Sequence, residues 1–347
     1  MLARATLALF ALALSAPAQD KIDFGPKFRA GEVARYRFVQ SAAQTMEGGM
    51  MGGQEMETEM VIDLKRETTA VGEGGIDQKL TIERMRVRSE MPMMGEVVAD
   101  SADKDAEEEE GMLAIFGKLV HALAGQTLDV HLTPEGKIES VKGADAILRK
   151  VIESLEDDPM AAAMLESGLG EQFGDTSVRQ WLDPMTENLP RKSVAVGDTW
   201  TSEWEDKLPG MGGALAVRSE NRLARVEKAE GGGDRGVIES DIRMSTKGPL
   251  RMDQGGFGME ITLEEGEGRH TGTVDVGTGL LRKLEGEVTM RMKMKMDLGA
   301  EGNEMAKEMA AMMGNMSMRQ RVRMTITLVE GEWPPLGGDA APPAKKN

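Results

Sequence analysis

LEGEVTMRMKMKMDL, residues 284–298, and MSMRQRVRMTITL, residues 316–328, share a period of two. In the first, Leu284, Val288, Met290, Met292, Met294, Met296 and Leu298 alternate with Glu285, Glu287, Thr289, Arg291, Lys293, Lys295 and Asp297. In the second, Met316, Met318, Val322, Met324, Ile326 and Leu328 alternate with Ser317, Arg319, Arg321, Arg323, Thr325 and Thr327. Successive side chains of an extended chain point to opposite faces. Each stretch therefore predicts a strand with one dry, sulfur-rich face and one charged face. At ~3.3 Å per residue the first is a ribbon of roughly 50 Å, long for a globular strand. The rest of the chain is expected to cover that methionine face.

Working outward, the same alternation predicts strands over 31–46, 55–67 and 76–91. In the second, Met56, Met60, Ile62 and Leu64 face in and Glu55, Glu57, Glu59 and Asp63 face out. In the third, the apolar parity changes from Leu80 and Ile82 to Met85, Val87 and Met91, which places a β-bulge near Glu83 and Arg84. The acidic run 102–110 lacks the loop glycine and closing glutamate of a calcium loop and reads as a solvated connector. Helices are expected at 110–123, 144–155, 159–165, 177–182 (capped by Asp175) and 303–313, with a strand at 127–132. Further strands are expected at 215–226, 237–244, 257–263 and 271–276. The fold class is thus mainly β (α+β): a long curled antiparallel sheet of two related halves, about 28–143 and 194–330, packed on the helices of 144–190. Residues 19–332 form one domain, and 333–347, rich in Pro, Gly, Ala and Lys, is expected to be a disordered tail.

Composition narrows the function classes. Arg4, the apolar run Ala5–Leu14 and the small residues Ala16, Pro17 and Ala18 fit a signal peptide over 1–18. The expectation is an exported chain, periplasmic or extracellular, without a transmembrane segment in its mature part. With no cysteine there is neither a lipoprotein anchor nor a disulfide. A formal net charge of −17 argues against nucleic acid and against electrostatic binding to anionic membranes. The core is unusual: 29 Met against 7 Phe, 4 Trp and 1 Tyr makes an adaptable interior of thioethers and aliphatics.

A weak repeat runs through the chain. Residues 125–143 align without a gap on 268–286, setting Gly136 on Gly279, Ile138 on Leu281 and Val141 on Leu284. Leu189-Pro190, then Val196-Gly197-Asp198-Thr199-Trp200, together with Leu132-Thr133-Pro134-Glu135-Gly136-Lys137-Ile138 and Val141-Lys142-Gly143, resemble a family of uncharacterised exported β-rich bacterial proteins of planctomycete type. The resemblance implies an exported β-rich domain and transfers no catalytic residue, because its motifs are turns and strand starts.

The candidate site is a set of methionines beside glycines: Met50-Met51-Gly52, Met93-Met94-Gly95, Met312-Met313-Gly314 and Met211. With Met46 and Met91, which a meander brings to the same end of the sheet, they predict a methionine-lined groove for a lipid-like or apolar peptide ligand. The alternatives are Cu(I) held by the soft thioethers of Met50, Met51, Met93 and Met94, and a structural or protein-interaction module. His121, His131 and His270 share no metal-ligand spacing, and no nucleophile elbow, His-Glu-x-x-His or phosphate loop is present. The reading is a non-enzymatic envelope protein without a cofactor.

Overall fold

The computed structural model describes residues 21–47, 53–91, 95–103, 112–153, 162, 174–206, 212–229, 232–254, 257–297 and 316–336. The strands in chain order are β1 (Val33–Glu47), β2 (Gln54–Gly72), β3 (Gly75–Met91), β4 (Gly95–Asp100), β5 (Thr127–Leu132) and β6 (Ile138–Lys142). After the helices come β7 (Thr199–Asp206), β8 (Leu215–Lys228), β9 (Asp234–Thr246), β10 (Leu250–Gln254), β11 (Phe257–Asp275), β12 (Leu281–Asp297) and β13 (Met316–Leu328). The helices are α1 (Met112–Leu123), α2 (Ala144–Glu153) and α3 (Asp175–Leu182), the last running into a 3-10 turn at Asp183–Met185. All strands join one antiparallel sheet in the order β6-β5-β3-β2-β1-β13-β12-β11-β9-β8-β7. β4 attaches to β3 and β10 to β11. The sheet is open, with β6 and β7 at its two ends.

The ribbons read first in the sequence are adjacent, Met292 facing Met318 and Met294 facing Met316. Met292, Met294 and Met316 are buried while Lys293, Lys295, Arg319, Arg321 and Arg323 are exposed, as the alternation requires. The two halves follow one plan. β1-β2-β3-β5-β6 and β7-β8-β9-β11-β12 are laid down in the same spatial succession, and β13 lies between β1 and β12 where the halves meet. The bulge near Glu83 is present: Asp63 pairs with Arg84 and Leu64 with Ile82, leaving Glu83 as the extra residue.

The concave face carries the core. Tyr36, Phe38, Ile62, Leu64, Leu80 and Leu128 of the sheet pack against Leu119, Val120 and Leu123 of α1, Ile147 and Val151 of α2, and Val178 and Leu182 of α3. Each such side chain contributes roughly 1.5–3 kcal/mol when fully buried. The starts of α2 and α3 cap one another. Asp175 Oδ1 accepts from the Ala144 and Asp145 amides at 2.7 and 3.3 Å, and Asp145 Oδ1 accepts from the Asp175 amide at 3.0 Å. Asp175 is therefore inside α3, with Gly174 at the N-cap, and caps the other helix instead of its own.

Two more expectations are corrected. The sequence predicts separate strands at 257–263 and 271–276, but β11 runs unbroken, with a bulge at Glu264 between the Leu263–Met292 and Glu265–Arg291 pairs and a second register shift between Thr273 and Val274. Gly266 and Gly268 lie in the interval between the two expected strands, and Gly272 lies within the second. In the structure they face the crowded concave side between β9 and β12, where a Cβ at Gly266 or Gly268 would lie 2.7 Å from Met244 or Val288. Nor does the folded part end at Glu332. Trp333 Nε1 donates to Glu83 at 2.6 Å, and the carbonyls of Pro334, Pro335 and Leu336 accept from Arg37 and Arg86 at 2.7, 3.0 and 3.1 Å. Leu336 is buried. A proline-rich sequence needs no hydrogen bonds of its own, so the docking is carried by side chains of the convex face, Arg37, Arg86 and Glu83. The helices expected at 159–165 and 303–313 lie outside the described residues, apart from Ala162.

Candidate functional site

The two turns that the repeat equates come together in space. Gly136, between β5 and β6, and Gly279, between β11 and β12, both have left-handed φ (+80° and +72°), which their tight turns demand. Both press on the segment that precedes β1. A Cβ on Gly136 would lie 2.7 Å from Pro26, and one on Gly279 would lie 2.7 Å from the Gly25 carbonyl. That segment is anchored along its length. Ile22 pairs with Val194 (2.8 and 2.9 Å), the Lys27 amide donates to Thr278 at 3.1 Å, and Phe24 is buried against Gly236 and Leu223. It forms a strap that bridges the β5–β6 and β11–β12 turns.

Under the strap lies a cavity of about 70 Å³, several times the ~10–15 Å³ a single water needs. Its walls are Leu64, Leu80, Val130, Leu132 and Ile138 from the first half-sheet, Leu281 from the second, Leu182, Met185 and Leu189 from α3 and the turn after it, and Pro26 and Phe28 from the strap. A few polar groups interrupt them: Tyr36, Arg66, Gln78, Glu135 and Thr186. Arg66 is the anomaly, a buried cation on the inward parity of β2, in line with Met60, Ile62 and Leu64. Its guanidinium carbon sits 4.6 Å from the Phe28 ring centre and 5.5 Å from that of Tyr36. Nη2 donates to Glu32 at 3.1 Å and Nη1 reaches the Tyr36 hydroxyl at 3.5 Å, whereas the buried Nε has no hydrogen-bond partner. Burial raises the Tyr36 phenol above its ordinary value against the pull of Arg66, so it is protonated at neutral pH.

Beside the cavity, burial pushes the Asp183 carboxyl up to about 6, in spite of Arg179, with Glu187 and Asp206 adding to the rise. Between the unfolded value of ~3.9 and 6 the folded chain binds the extra proton, so this group makes the protein less stable as pH rises through that window. Asp183→Asn is therefore expected to gain roughly 1–3 kcal/mol over the parent at pH 7 and to lose that advantage below pH ~4. Urea unfolding of both at the two pH values checks this, and an equal difference at both would contradict it.

Of the methionine candidates only Met46 and Met91 fall among the described residues, and Met46 is not on the cavity wall. Met46 faces Met318 and packs on a smaller cluster of Leu250, Ile261, Met292, Met294 and Met316. That cluster lies at the opposite end of the strands, since Met46 is ten residues, ~33 Å, from Tyr36 along β1. Met91 pairs with Gly95 at the end of β3, on the same side of the sheet as Met46 with β2 between them. Met50, Met51, Met93, Met94, Met211, Met312 and Met313 lie outside the described residues. Met185, which the sequence reading passed over, lines the cavity. Arg66 and Gln78 were missed too, although each breaks an apolar parity: Ile62, Leu64, Arg66 in β2 and Ile76, Gln78, Leu80 in β3.

The histidines stand apart. His131 Nδ1 lies 2.6 Å from Asp77, whose hydrogen bond holds the imidazole above its ordinary value. His270 is buried, and burial lowers it to about 4. Among the described residues no group of three His, Cys, Asp or Glu side chains is placed to hold a metal ion, and no helix is long and apolar enough to cross a membrane.

A protein-family model described as a family of unknown function, DUF6263, matches residues 73–281. No curated protein matches the chain. Among solved structures, lipovitellin ("Lipid-protein interactions in lipovitellin") is 10% identical over 90% of this chain, with a TM-score of 0.41. This chain spans only 26% of lipovitellin. DynF from the dynemicin biosynthesis pathway of Micromonospora chersina is 7% identical over 90% of this chain and 86% of its own, with a TM-score of 0.20. An outer membrane channel from Pseudomonas putida F1 is 7% identical over 89% of this chain and 99% of its own, with a TM-score of 0.21.

Proposed function

We propose that this chain, which belongs to the family of unknown function DUF6263, is an exported, non-catalytic binding protein that takes an apolar, lipid-like ligand into the cavity under the strap. The observation that carries this reading is the cavity's composition: aliphatic walls from both half-sheets and α3, interrupted by a few polar groups. On this reading the ligand sits at the strap end of the sheet. Arg66 and Gln78 supply orientation in this reading.

The uncharged fluorophore N-phenyl-1-naphthylamine tests the cavity directly. The parent protein is expected to enhance its emission saturably. Met185→Trp, at a half-buried position on the cavity wall, is expected to weaken binding at least tenfold while leaving the far-UV spectrum unchanged. Absence of saturable binding, or binding unchanged in Met185→Trp, would remove the cavity as the site.

A further inference from the structure

We infer that the ligand of this cavity is a monocarboxylate amphiphile, a fatty acid in chemical class, whose head group docks on the Arg66 guanidinium. The inference rests on the cavity being the ligand site and adds the chemistry of its head group. A buried charge is tolerated where it is paired and its hydrogen-bonding groups are filled. Arg66 meets that requirement only in part. It is 8% exposed, it has a single carboxylate partner through one nitrogen, Glu32 at 3.1 Å, and its buried Nε–H has no partner. The guanidinium is a planar fork made to receive the two oxygens of a carboxylate, and here that fork is half filled at the wall of an apolar chamber.

The surroundings favour a single negative charge over the alternatives. Phe28 and Tyr36 offer ring faces to the cation, which fixes its plane and keeps water from it. The Tyr36 phenol, held protonated by burial, is available as a donor to a second head-group oxygen. Gln78, also lining the cavity, has its Nε2 bonded to Thr68 at 3.3 Å. Glu32 stays near enough that a dianionic head such as a phosphate monoester would meet repulsion, and a cationic head would be repelled by Arg66 itself. Leu64, Leu80, Val130 and Leu281 then receive the aliphatic tail.

Decanoate, decan-1-ol, decyl phosphate and decylamine, which share one tail, separate the possibilities by competition against N-phenyl-1-naphthylamine. Decanoate is expected to compete at least tenfold better than decan-1-ol and better than decyl phosphate, with decylamine weakest. Arg66→Met is expected to bring decanoate and decan-1-ol to parity. Glu32→Gln, which removes the resident carboxylate at a partly exposed position, is expected to tighten decanoate severalfold and leave decan-1-ol unchanged. If Arg66→Met does not fold, Glu32→Gln decides alone: no selective gain for decanoate overturns the inference. Equal competition by decanoate and decan-1-ol in the parent overturns the head-group assignment and leaves the cavity reading standing. Stronger competition by decyl phosphate overturns the choice of carboxylate. Failure of every probe, the fluorophore included, overturns the cavity reading itself.

Discussion

Replacing Gly286 with alanine is expected to cost about 3 kcal/mol or more of unfolding free energy, beyond most single overpacking changes. Gly286 on β12 faces His270 on β11 and Met324 on β13. A Cβ there would lie 1.9 Å from His270 Cδ2 and 2.8 Å from the Arg269 carbonyl oxygen. A side chain can swing away from such a contact, but a backbone carbonyl in a strand paired on both sides cannot. The imidazole has little room either, being buried opposite Ser240 of β9. The ring lies across the glycine because His270 and Gly286 are direct cross-strand partners and the glycine leaves the space a Cβ would take. Urea unfolding should show the loss as a lower midpoint with an unchanged slope. His270→Ala in the same chain should restore part of it, a coupling of roughly 1–3 kcal/mol. A Gly286→Ala protein within 1 kcal/mol of the parent, or strict additivity in the double variant, would contradict this packing account.

The same imidazole sets a pH signature opposite to that of Asp183. Its folded value, about 4, is below the unfolded value of 6.5, so between these limits only the unfolded chain takes up the proton. Stability through His270 is therefore full above pH ~6.5 and lost as pH falls toward 4, on the order of 3 kcal/mol. Asp183 gains over nearly the same window, so the two slopes oppose each other in the parent protein.

What the sequence disclosed, and what it withheld, follows from the range of the forces involved. The ribbons over 284–298 and 316–328, the bulge at Glu83 and the strand at 127–132 are written in local alternation, because burying one face of a strand dictates every second residue. The break expected between Leu263 and Thr271 is a local inference that fails: glycines that would end an isolated strand are retained where two neighbours hold the backbone and the bend needs their missing Cβ. Asp175 illustrates the same limit, since its acceptor oxygen serves the amides of α2 some thirty residues away. The cavity is harder still. It exists because Gly136 and Gly279, 143 residues apart in sequence, meet around Pro26. No window of the sequence contains that meeting. Yet Arg66 on a dry parity was a visible anomaly, and a charge where alternation calls for an aliphatic is the kind of signal that marks a site.

The convex face yields the second large effect, through Asp63. Alternation places this residue outward, and an outward carboxylate should be wet, yet it is 0% exposed. The Trp333–Leu336 segment docks on the arginines that surround it. Arg37 holds Asp63 with two hydrogen bonds of 2.7 and 2.8 Å, Arg84 stands 3.8 Å away, and the same Arg37 donates onward to the carbonyls of Pro334 and Pro335. Asp63 is thus the counter-charge that lets the arginines gather beneath a peptide whose carbonyls need donors. Asp63→Asn removes that charge and leaves Arg37 and Arg84 confined together, at an expected cost of about 3–5 kcal/mol, as when one partner of a buried ion pair is lost. Part of the strain is relieved by releasing the segment, so protease cleavage near Glu332 should accelerate in the variant. Asp63→Leu combined with Arg37→Met should recover much of the loss, since an apolar pair of similar volume carries no desolvation penalty. A chain stopped after Glu332 should lose only about 1 kcal/mol, because the pair it uncovers becomes an exposed one that water can solvate. If Asp63→Asn unfolds at the parental midpoint with the segment still protected from cleavage, the carboxylate is not what holds this face together.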